Sequence, residues 1–341
     1  MKKLLLLTVA LVLAVTAAFG EMMTAVESPA TATGLAEEAA SGETFLVTTE
    51  DGSWPELNAQ GYLDAGEFVY ENPDEGVWRY CSSTLKVEII RQNSTRPNRI
   101  WYEAEVWSIS EIWDLVQAVP GKYVSEVDFQ PAIASRNGCV LALNADEANY
   151  RWSKQGKGIG VLVRNHQILW DKHPKEGYKG FPTLDNLVLY DDGRMEVYDV
   201  AEKEAQDFID MGARHVLAFG PYLVRDGVLN EKRCRAFDAS NGVARIAVGQ
   251  IGEGHYMAVM CEGRHKGSKG CNLWWMAQKM AEKGCVTAFN LDGGRTASIE
   301  FMGKQICTVG ASPFKDGSAR KSAELLYIGR STLVEGYDPA T

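Results

Sequence analysis

Several residue patterns that mark common catalytic centres are missing from this sequence. Its seven cysteines form no Cys-x-x-Cys pair, and its five histidines form neither a His-x-His nor a His-Glu-x-x-His pattern. No serine lies in a Gly-x-Ser-x-Gly elbow, and no Walker-type phosphate loop occurs. The sequence therefore lends no support to a zinc hydrolase, a dithiol oxidoreductase, a serine hydrolase of the α/β type or a P-loop enzyme, and it predicts no metal site.

Long apolar runs are also scarce, and the one that occurs stands at the start of the chain. Lys2 and Lys3 precede an apolar run over residues 4–18, and Ala18-Phe19-Gly20 offers small residues for cleavage. About fifteen residues is shorter than the roughly twenty that span a bilayer as a helix. Residues 1–20 are therefore predicted to be a secretory signal peptide and the protein to be secreted or extracytoplasmic, with an uncleaved N-terminal anchor as the alternative.

Basic residues are fewer than acidic ones, with 35 Lys and Arg against 45 Asp and Glu. The formal net charge is −10 and becomes −12 once the two lysines of the predicted signal peptide leave. Such a surface repels nucleic acid and anionic membranes, so neither is expected as a partner beyond export itself. An anionic ligand would have to be held by local arginines and backbone amides.

The composition divides the rest of the chain into three parts. Residues 21–58 are rich in Ala, Thr, Ser, Glu and Gly and poor in large apolar residues, which predicts a disordered tether. Residues 59–130 are expected to form a β-rich lead-in region, and residues 131–331 the main domain. About 280 residues remain after the tether, enough for one main globular domain.

Residue periodicity predicts an α+β fold, with a mixed β-sheet core, packed helices and several β-hairpins. Strands are expected at residues 85–90 and 101–107, joined as a hairpin, and a buried strand at residues 285–291. Hairpin turns are expected at residues 165–166, 191–194 and 226–227. Helices are expected at residues 110–116, 202–211 and 272–283.

Residues that could take part in catalysis or ligand binding cluster in the last third of the sequence. Asp292-Gly293-Gly294 follows the predicted strand 285–291, so a carboxylate stands where a rigid strand opens into a loop that can approach an anion closely. Asp292 and Glu262 are a candidate acid and base pair. Arg245 and Arg264 are candidate phosphate ligands. Taken singly, the Asp-Gly-Gly sequence is a common turn, and each charged residue is more often part of a surface ion pair.

Five blocks occur in an order that carries more information than any one of them: Asn144-Ala145-Asp146, Ala218 to Val224, Arg245 to Gly249, Glu262-Gly263-Arg264, and Asn290-Leu291-Asp292-Gly293-Gly294. This succession resembles the phosphodiester glycosidase family over about residues 131–330. The resemblance implies a catalytic role for three residues, namely Asp292, Glu262 and Asn144. It implies substrate binding by eight more: Arg245, Arg264, Ser268, Gly270, Asn290, Gly293, Gly294 and Arg295.

The sequence departs from the family pattern at several positions, among them Glu147-Ala148, where the family often has an aromatic pair. Ala145 replaces a common glycine, Glu262 stands where the family usually has Asp, and Arg295 follows Gly294 where the family often continues with glycine and serine. Arg295 could add a phosphate contact or narrow the pocket. These departures put the identity of the substrate in question more than the fold.

The resemblance implies hydrolysis of a sugar-1-phosphodiester by cleavage of the anomeric C–O bond. The expected partner is a sugar-phosphate or glycan substrate, such as a cell-wall or extracellular polymer. Two alternatives remain open from the residues: a glycan-binding protein without turnover on the same scaffold, and a phosphodiesterase that cuts the P–O bond. No redox cofactor is implied, and nothing in the sequence supports a bound calcium ion.

Overall fold

The computed structural model describes residues 45–122, 126–146, 160–172, 180–237, 242–310 and 317–339. All of these belong to one compact unit. The predicted signal peptide and residues 21–44 of the predicted tether lie outside the described residues. No helix in the described part of the chain is long and apolar enough to cross a membrane.

Twenty strands and four helices are present in the described residues. The strands are β1 (Leu46–Val47), β2 (Glu67–Asn72), β3 (Val77–Cys81), β4 (Leu85–Thr95), β5 (Asn98–Ser108), β6 (Asp114–Gln117), β7 (Cys139–Asn144), β8 (Gly160–Arg164), β9 (Gln167–Lys172), β10 (Asp185–Tyr190), β11 (Met195–Tyr198), β12 (Ala213–Phe219), β13 (Tyr222–Arg225), β14 (Val228–Leu229), β15 (Arg245–Gly252), β16 (His255–Cys261), β17 (Thr287–Asn290), β18 (Ile299–Phe301), β19 (Lys304–Gln305) and β20 (Glu324–Arg330). The helices are α1 (Gln130–Arg136), α2 (Ala205–Asp210), α3 (Glu231–Ala236) and α4 (Leu273–Glu282).

The strands form three sheets. The largest has ten strands in the order β1-β2-β3-β4-β5-β16-β15-β17-β13-β14, and the other two are β11-β10-β12-β8-β9 and β19-β18-β7-β20-β6. Among the described strands, β1 and β2 make the one parallel pair, and every other pair is antiparallel. The predicted α+β class is therefore corrected to a mostly β fold. Its helices are short, with ten residues in the longest.

The prediction of a helix at residues 110–116 is wrong. Residues 114–117 form strand β6, which pairs antiparallel with β20 in the register Val116↔Leu325. The short apolar run fits either period, and a partner strand two hundred residues further along the chain decides between them. The three predicted hairpin turns and the helices near residues 205–210 and 273–282 are confirmed.

The lead-in region and the later strands share one sheet. Strand β5 pairs with β16 from Trp101↔Cys261 to Trp107↔His255. Residues 45–58, which the sequence places in the tether, belong to the same unit, because Trp54 and Leu57 pack around the buried Phe68. The largest sheet thus combines strands from residues 46–108 with strands from residues 222–290.

The main core fills the space between the three sheets, where residues such as Leu141, Leu217 and Ile246 are fully buried. Helix α4 covers the opposite face of the ten-stranded sheet with Leu273, Met276, Ala277 and Met280. These side chains recur at helical spacing, which explains why the sequence predicts this helix. The Asn272 side chain caps it by accepting from the Trp275 amide at 2.8 Å.

A buried ion cluster joins the two smaller sheets. Arg164, at the end of β8, is fully buried and bonds both carboxylate oxygens of Glu324 on β20, with Nε to Oε2 at 3.0 Å. Its Nη2 also lies 3.5 Å from Asp146 Oδ2, and that oxygen accepts from the Ala218 amide at 3.2 Å. Removing one member would leave a buried charge without compensation.

Candidate active site

Asp292 lies just past the carboxyl end of β17. This strand is an interior strand of the ten-stranded sheet. Strand β17 pairs with β15 on one side, in the register Ala247↔Asn290, and with β13 on the other. Asp292 keeps 9 % of its surface exposed, whereas Asn290 is fully buried. The sheet therefore carries a carboxylate to the margin of the core, at the place where the sequence predicts it.

Asn144 ends strand β7 in a different sheet and reaches the backbone of Asp292. Its Nδ2 donates to the Asp292 carbonyl oxygen at 2.9 Å, and its Oδ1 accepts from the Ser298 amide at 3.0 Å. The side chain is fully buried. Asn144 thus ties the loop after β17 to a second sheet and fixes the backbone that bears Asp292.

Asn290 anchors the same strand to the neighbouring turn. Its Nδ2 donates to the Gly220 carbonyl at 2.8 Å. Its Oδ1 is buried and has no hydrogen-bond partner in the described residues. Buried polar atoms are rarely left without partners, so this acceptor is of the kind that a bound ligand or water would satisfy.

Arg245 opens strand β15 and runs beside the loop that follows Asp292. The Gly294 amide donates to the Ala244 carbonyl at 2.8 Å, and a Cβ on Gly293 would come within 2.9 Å of that oxygen. Arg245 is almost fully buried, and its Nε donates to the Cys271 carbonyl at 3.3 Å. The glycines therefore allow a close backbone approach, and the Gly294 amide is already engaged inside the protein instead of being directed at a ligand.

Both carboxylate oxygens of Glu262 have close polar partners. Its Oε1 accepts from the Tyr102 hydroxyl at 3.0 Å and from the Thr308 amide at 2.7 Å, and its Oε2 lies 2.9 Å from His265 Nε2. Burial and then the neighbouring Glu262 carboxylate raise the pKa of Tyr102 above its usual range, so the phenol stays a neutral donor. Glu262 is 2 % exposed and holds three chain segments together.

The loop of residues 262–270 presents Arg264, Ser268 and Gly270. Arg264 is exposed and adopts φ +59°, a left-handed conformation that non-glycine residues seldom take. Ser268 is buried, and its Oγ donates to the Glu262 carbonyl at 2.8 Å while accepting from the Ile100 amide at 3.1 Å. Gly270 has φ +89°, and a Cβ there would meet the Val243 carbonyl at 2.4 Å. Ser268 and Gly270 therefore shape the loop, and Arg264 projects from it.

Two groups of predicted site residues emerge from these contacts. Arg264, Ser268 and Gly270 line a cavity of about 710 Å³, whereas Asp292, Glu262 and Arg245 are not among the described residues that line it. The groups meet where Arg245 Nε bonds the Cys271 carbonyl next to Gly270. The site thus consists of the end of strand β17, which leads into Asp292, and the neighbouring wall of this cavity.

Arg295, one of the residues that depart from the family pattern, contacts residues 318 and 320. Its Nη2 lies 3.4 Å from Ser318 Oγ, and its carbonyl accepts from the Arg320 amide at 2.8 Å. The residue is half-buried. These contacts connect it to the segment that follows residue 317.

Residues that sequence analysis missed come mainly from the lead-in region. Tyr102 on β5 bonds Glu262, and Pro97 and Arg99 line the cavity. They lie about 160 residues before the loop they contact, and no local pattern marks them. In the described residues, no three His, Cys, Asp or Glu side chains are grouped as metal ligands would be.

The fold and the site define a mostly β domain with a polar, arginine-bearing site at one end of its largest sheet. The chain belongs to the phosphodiester glycosidase family, a family of hydrolases, and the family model matches residues 137–328. The resemblance stated from the five sequence blocks is therefore confirmed.

Two comparisons with known proteins accompany that match. The chain is 30 % identical over 198 residues to the SPbeta prophage-derived uncharacterized protein YomE of Bacillus subtilis (strain 168), covering 58 % of this chain and 29 % of YomE. It thus spans less than a third of that relative. Its fold is similar to the zebrafish N-acetylglucosamine-1-phosphodiester alpha-N-acetylglucosaminidase catalytic domain, with a TM-score of 0.57, 17 % identity, and coverage of 73 % of this chain and 85 % of that one.

Proposed function

We propose that the protein is an exported hydrolase that cleaves a sugar-1-phosphodiester at the anomeric C–O bond. The observation that carries this proposal is the placement of Asp292. A rigid central strand brings the carboxylate to the margin of the core, Asn144 fixes its backbone at 2.9 Å, and Arg245 begins the neighbouring strand. Membership of a hydrolase family of this chemistry supports the same conclusion.

Asp292 is the group we assign to the reacting centre. A carboxylate beside the anomeric carbon stabilises the positive charge that develops as the C–O bond breaks, or it activates the attacking water. Arg245 and Arg264 would hold the phosphate, whose negative charge grows as it departs. The phosphodiester is already a good leaving group, so strong acid assistance is not required.

Glu262 and Asn144 then act as positioning residues. Both oxygens of Glu262 are occupied by Tyr102, Thr308 and His265, which leaves this carboxylate poorly placed to exchange protons with a substrate. Its hydrogen bonds instead fix the loop that carries Arg264. Asn144 likewise fixes the loop that carries Asp292 through its hydrogen bonds.

The test is hydrolysis of a synthetic sugar-1-phosphodiester by the wild type and by Asp292→Asn. This change keeps the side-chain shape and removes the charge, and we expect a loss of about 100-fold or more in kcat. The matched control is Asp226→Asn in the exposed β13–β14 turn, where φ is +52° and asparagine is tolerated. It should leave the rate unchanged.

Hydrolysis in ¹⁸O-labelled water separates the two bond-cleavage alternatives. Label recovered in the sugar supports C–O cleavage, whereas label in the phosphate product would establish a P–O phosphodiesterase instead. If the wild type binds the diester and turns over no faster than Asp292→Asn, the chain is a glycan-binding protein and the hydrolase proposal fails.

A further inference from the structure

The cavity beside the site is strongly basic, and we call it the basic groove. Its wall includes Arg99, Arg264, His265, Lys266 and Lys269, and no Asp or Glu occurs among its described lining residues. The chain as a whole has a formal charge of −10. A local excess of cations on an acidic protein focuses a positive potential in one place.

Three cations of the basic groove are not neutralised by nearby carboxylates, whereas His265 lies 2.9 Å from Glu262. Arg264, Lys266 and Lys269 are exposed, and none of them makes an ion pair with a carboxylate in the described part of the chain. Most other arginines with described contacts, such as Arg79 and Arg225, have such a partner. Like charges held close together repel one another, so the arrangement is favoured when an anion enters.

The groove is preformed by contacts between the β4–β5 hairpin and the loop of residues 262–270. Asn98 Nδ2 donates to the Lys266 carbonyl at 3.1 Å, and the Lys269 amide donates to the Asn98 carbonyl at 3.0 Å. Arg99 is fixed by its Nε bond to the Gly270 carbonyl at 3.1 Å and lies 4.4 Å from the Trp275 ring centroid. Little backbone conformational entropy is therefore lost when a ligand binds.

We infer that the basic groove binds further phosphates of a polymeric substrate, a glycan whose successive sugars are joined by phosphodiesters. This inference rests on the proposed function and specifies its substrate class. At about 710 Å³ the groove lies in the usual range for ligand sites, about 300–1,000 Å³, and is larger than one phosphate requires. Arg264 stands on its wall, so a chain held at the site by one phosphodiester would continue into the groove.

A sugar-phosphate chain fits these features better than nucleic acid does. Nucleic-acid binding draws on an extended positive surface, whereas this protein is acidic overall and the groove is a local cluster of five basic side chains. The groove also adjoins the proposed glycosidase site. The groove offers several cations, which suits a polymer that carries more than one phosphate.

The experiment measures binding to the Asp292→Asn protein, which does not consume the ligand. The probes are a long chain of sugar-1-phosphate repeats, a fragment with one phosphodiester, inorganic polyphosphate, and a single-stranded oligodeoxynucleotide of matched charge. We expect the long chain to bind at least about tenfold more tightly than the fragment. The Lys266→Glu/Lys269→Glu variant should lose about tenfold or more in affinity for the chain, and its log Kd against log salt slope should fall by about 1.5.

The matched control is Lys122→Glu/Lys232→Glu, which makes the same charge change at two exposed positions outside the groove. It should retain tight binding. Three outcomes would each overturn the inference. They are an equal loss of affinity in both variants, failure of the long chain to bind whether or not polyphosphate binds, and tighter binding of the oligonucleotide than of the long chain. Hydrolysis of the single diester in the wild-type background separates the two proposals: chain binding without any hydrolysis would sink the proposed function and leave the groove assignment intact.

Discussion

Glu300 allows a test of how burial in this protein affects the ionisation of a carboxyl group and, through it, stability. The residue lies on β18 and is fully buried; one carboxylate oxygen bonds the Ser298 hydroxyl, and the other has no hydrogen-bond partner in the described residues. Burial raises its pKa to about 8, from an ordinary 4.5. The folded chain therefore keeps a proton here that the unfolded chain releases at mildly acidic pH.

The sign of the pH dependence follows from that difference. Below pH 4.5 both states hold the proton, and the group does not affect stability. As pH rises from there to about 8 the unfolded state ionises alone, so the free energy of unfolding falls, and above that range the loss is complete. Integrated between pH 5 and pH 8, this loss is about 3.5 kcal/mol, an upper bound set by the fully buried carboxyl.

The perturbation is Glu300→Gln, which keeps the shape and an acceptor for Ser298 and removes the ionisation. Urea unfolding of the wild type and the variant at several pH values gives the difference between their free energies of unfolding. That difference should grow in favour of the variant by about 3.5 kcal/mol from pH 5 to pH 8. Taking the difference cancels other titrating groups, such as the buried His215, whose pKa burial lowers.

Glu335→Gln is the control, because Glu335 is exposed and solvent surrounds it in both states. Its difference should remain flat across the same pH range. A flat difference for Glu300→Gln, within about 1 kcal/mol, would refute the argument, since the carboxyl would then ionise in the folded protein almost as it does in water.

Three further substitutions test the contacts around the site and between the sheets. Asn144→Ala removes three buried hydrogen bonds and should lower the free energy of unfolding by about 2–4 kcal/mol in urea titrations; no change would exclude an anchoring role. Tyr102→Phe deprives Glu262 of one donor and should cost about 1–3 kcal/mol by the same assay, with diester turnover falling if that carboxylate positions the loop. Arg164→Met should cost about 3–5 kcal/mol, and adding Glu324→Leu should recover part of it, because the buried Asp146 carboxylate still lacks its cation; equal losses in the single and double variants would contradict the ion-pair account.

The sequence predicts those turns and helices whose start and stop signals lie close together in the chain. The turn at Asp226-Gly227 and helix α4, which begins after Asn272 and ends before Gly284, are found because the residues that start or stop them are neighbours in the chain. The strand that carries Asp292 is found because its apolar run ends in glycines. For these elements sequence patterns suffice.

What the sequence does not predict depends on partners far along the chain. Residues 114–117 become a strand because β20 pairs with them, and the strand content is underestimated for the same reason: short apolar runs become strands when an antiparallel partner is available. The basic groove escapes prediction because Arg99 arrives from a hairpin that precedes the loop by more than 160 residues. Glu262 is identified as a site residue, but its three hydrogen-bond partners and therefore its positioning role are visible only in three dimensions.

The pairing of β5 with β16 and of β6 with β20 has a practical consequence for anyone trimming the chain. The family match begins at residue 137, after both β5 and β6. A fragment cut there would expose the backbone of β16 and β20 as two bare edges, and such edges recruit other molecules into aggregates. The smallest piece worth expressing therefore starts well ahead of the family boundary, with the strands that precede it left in place.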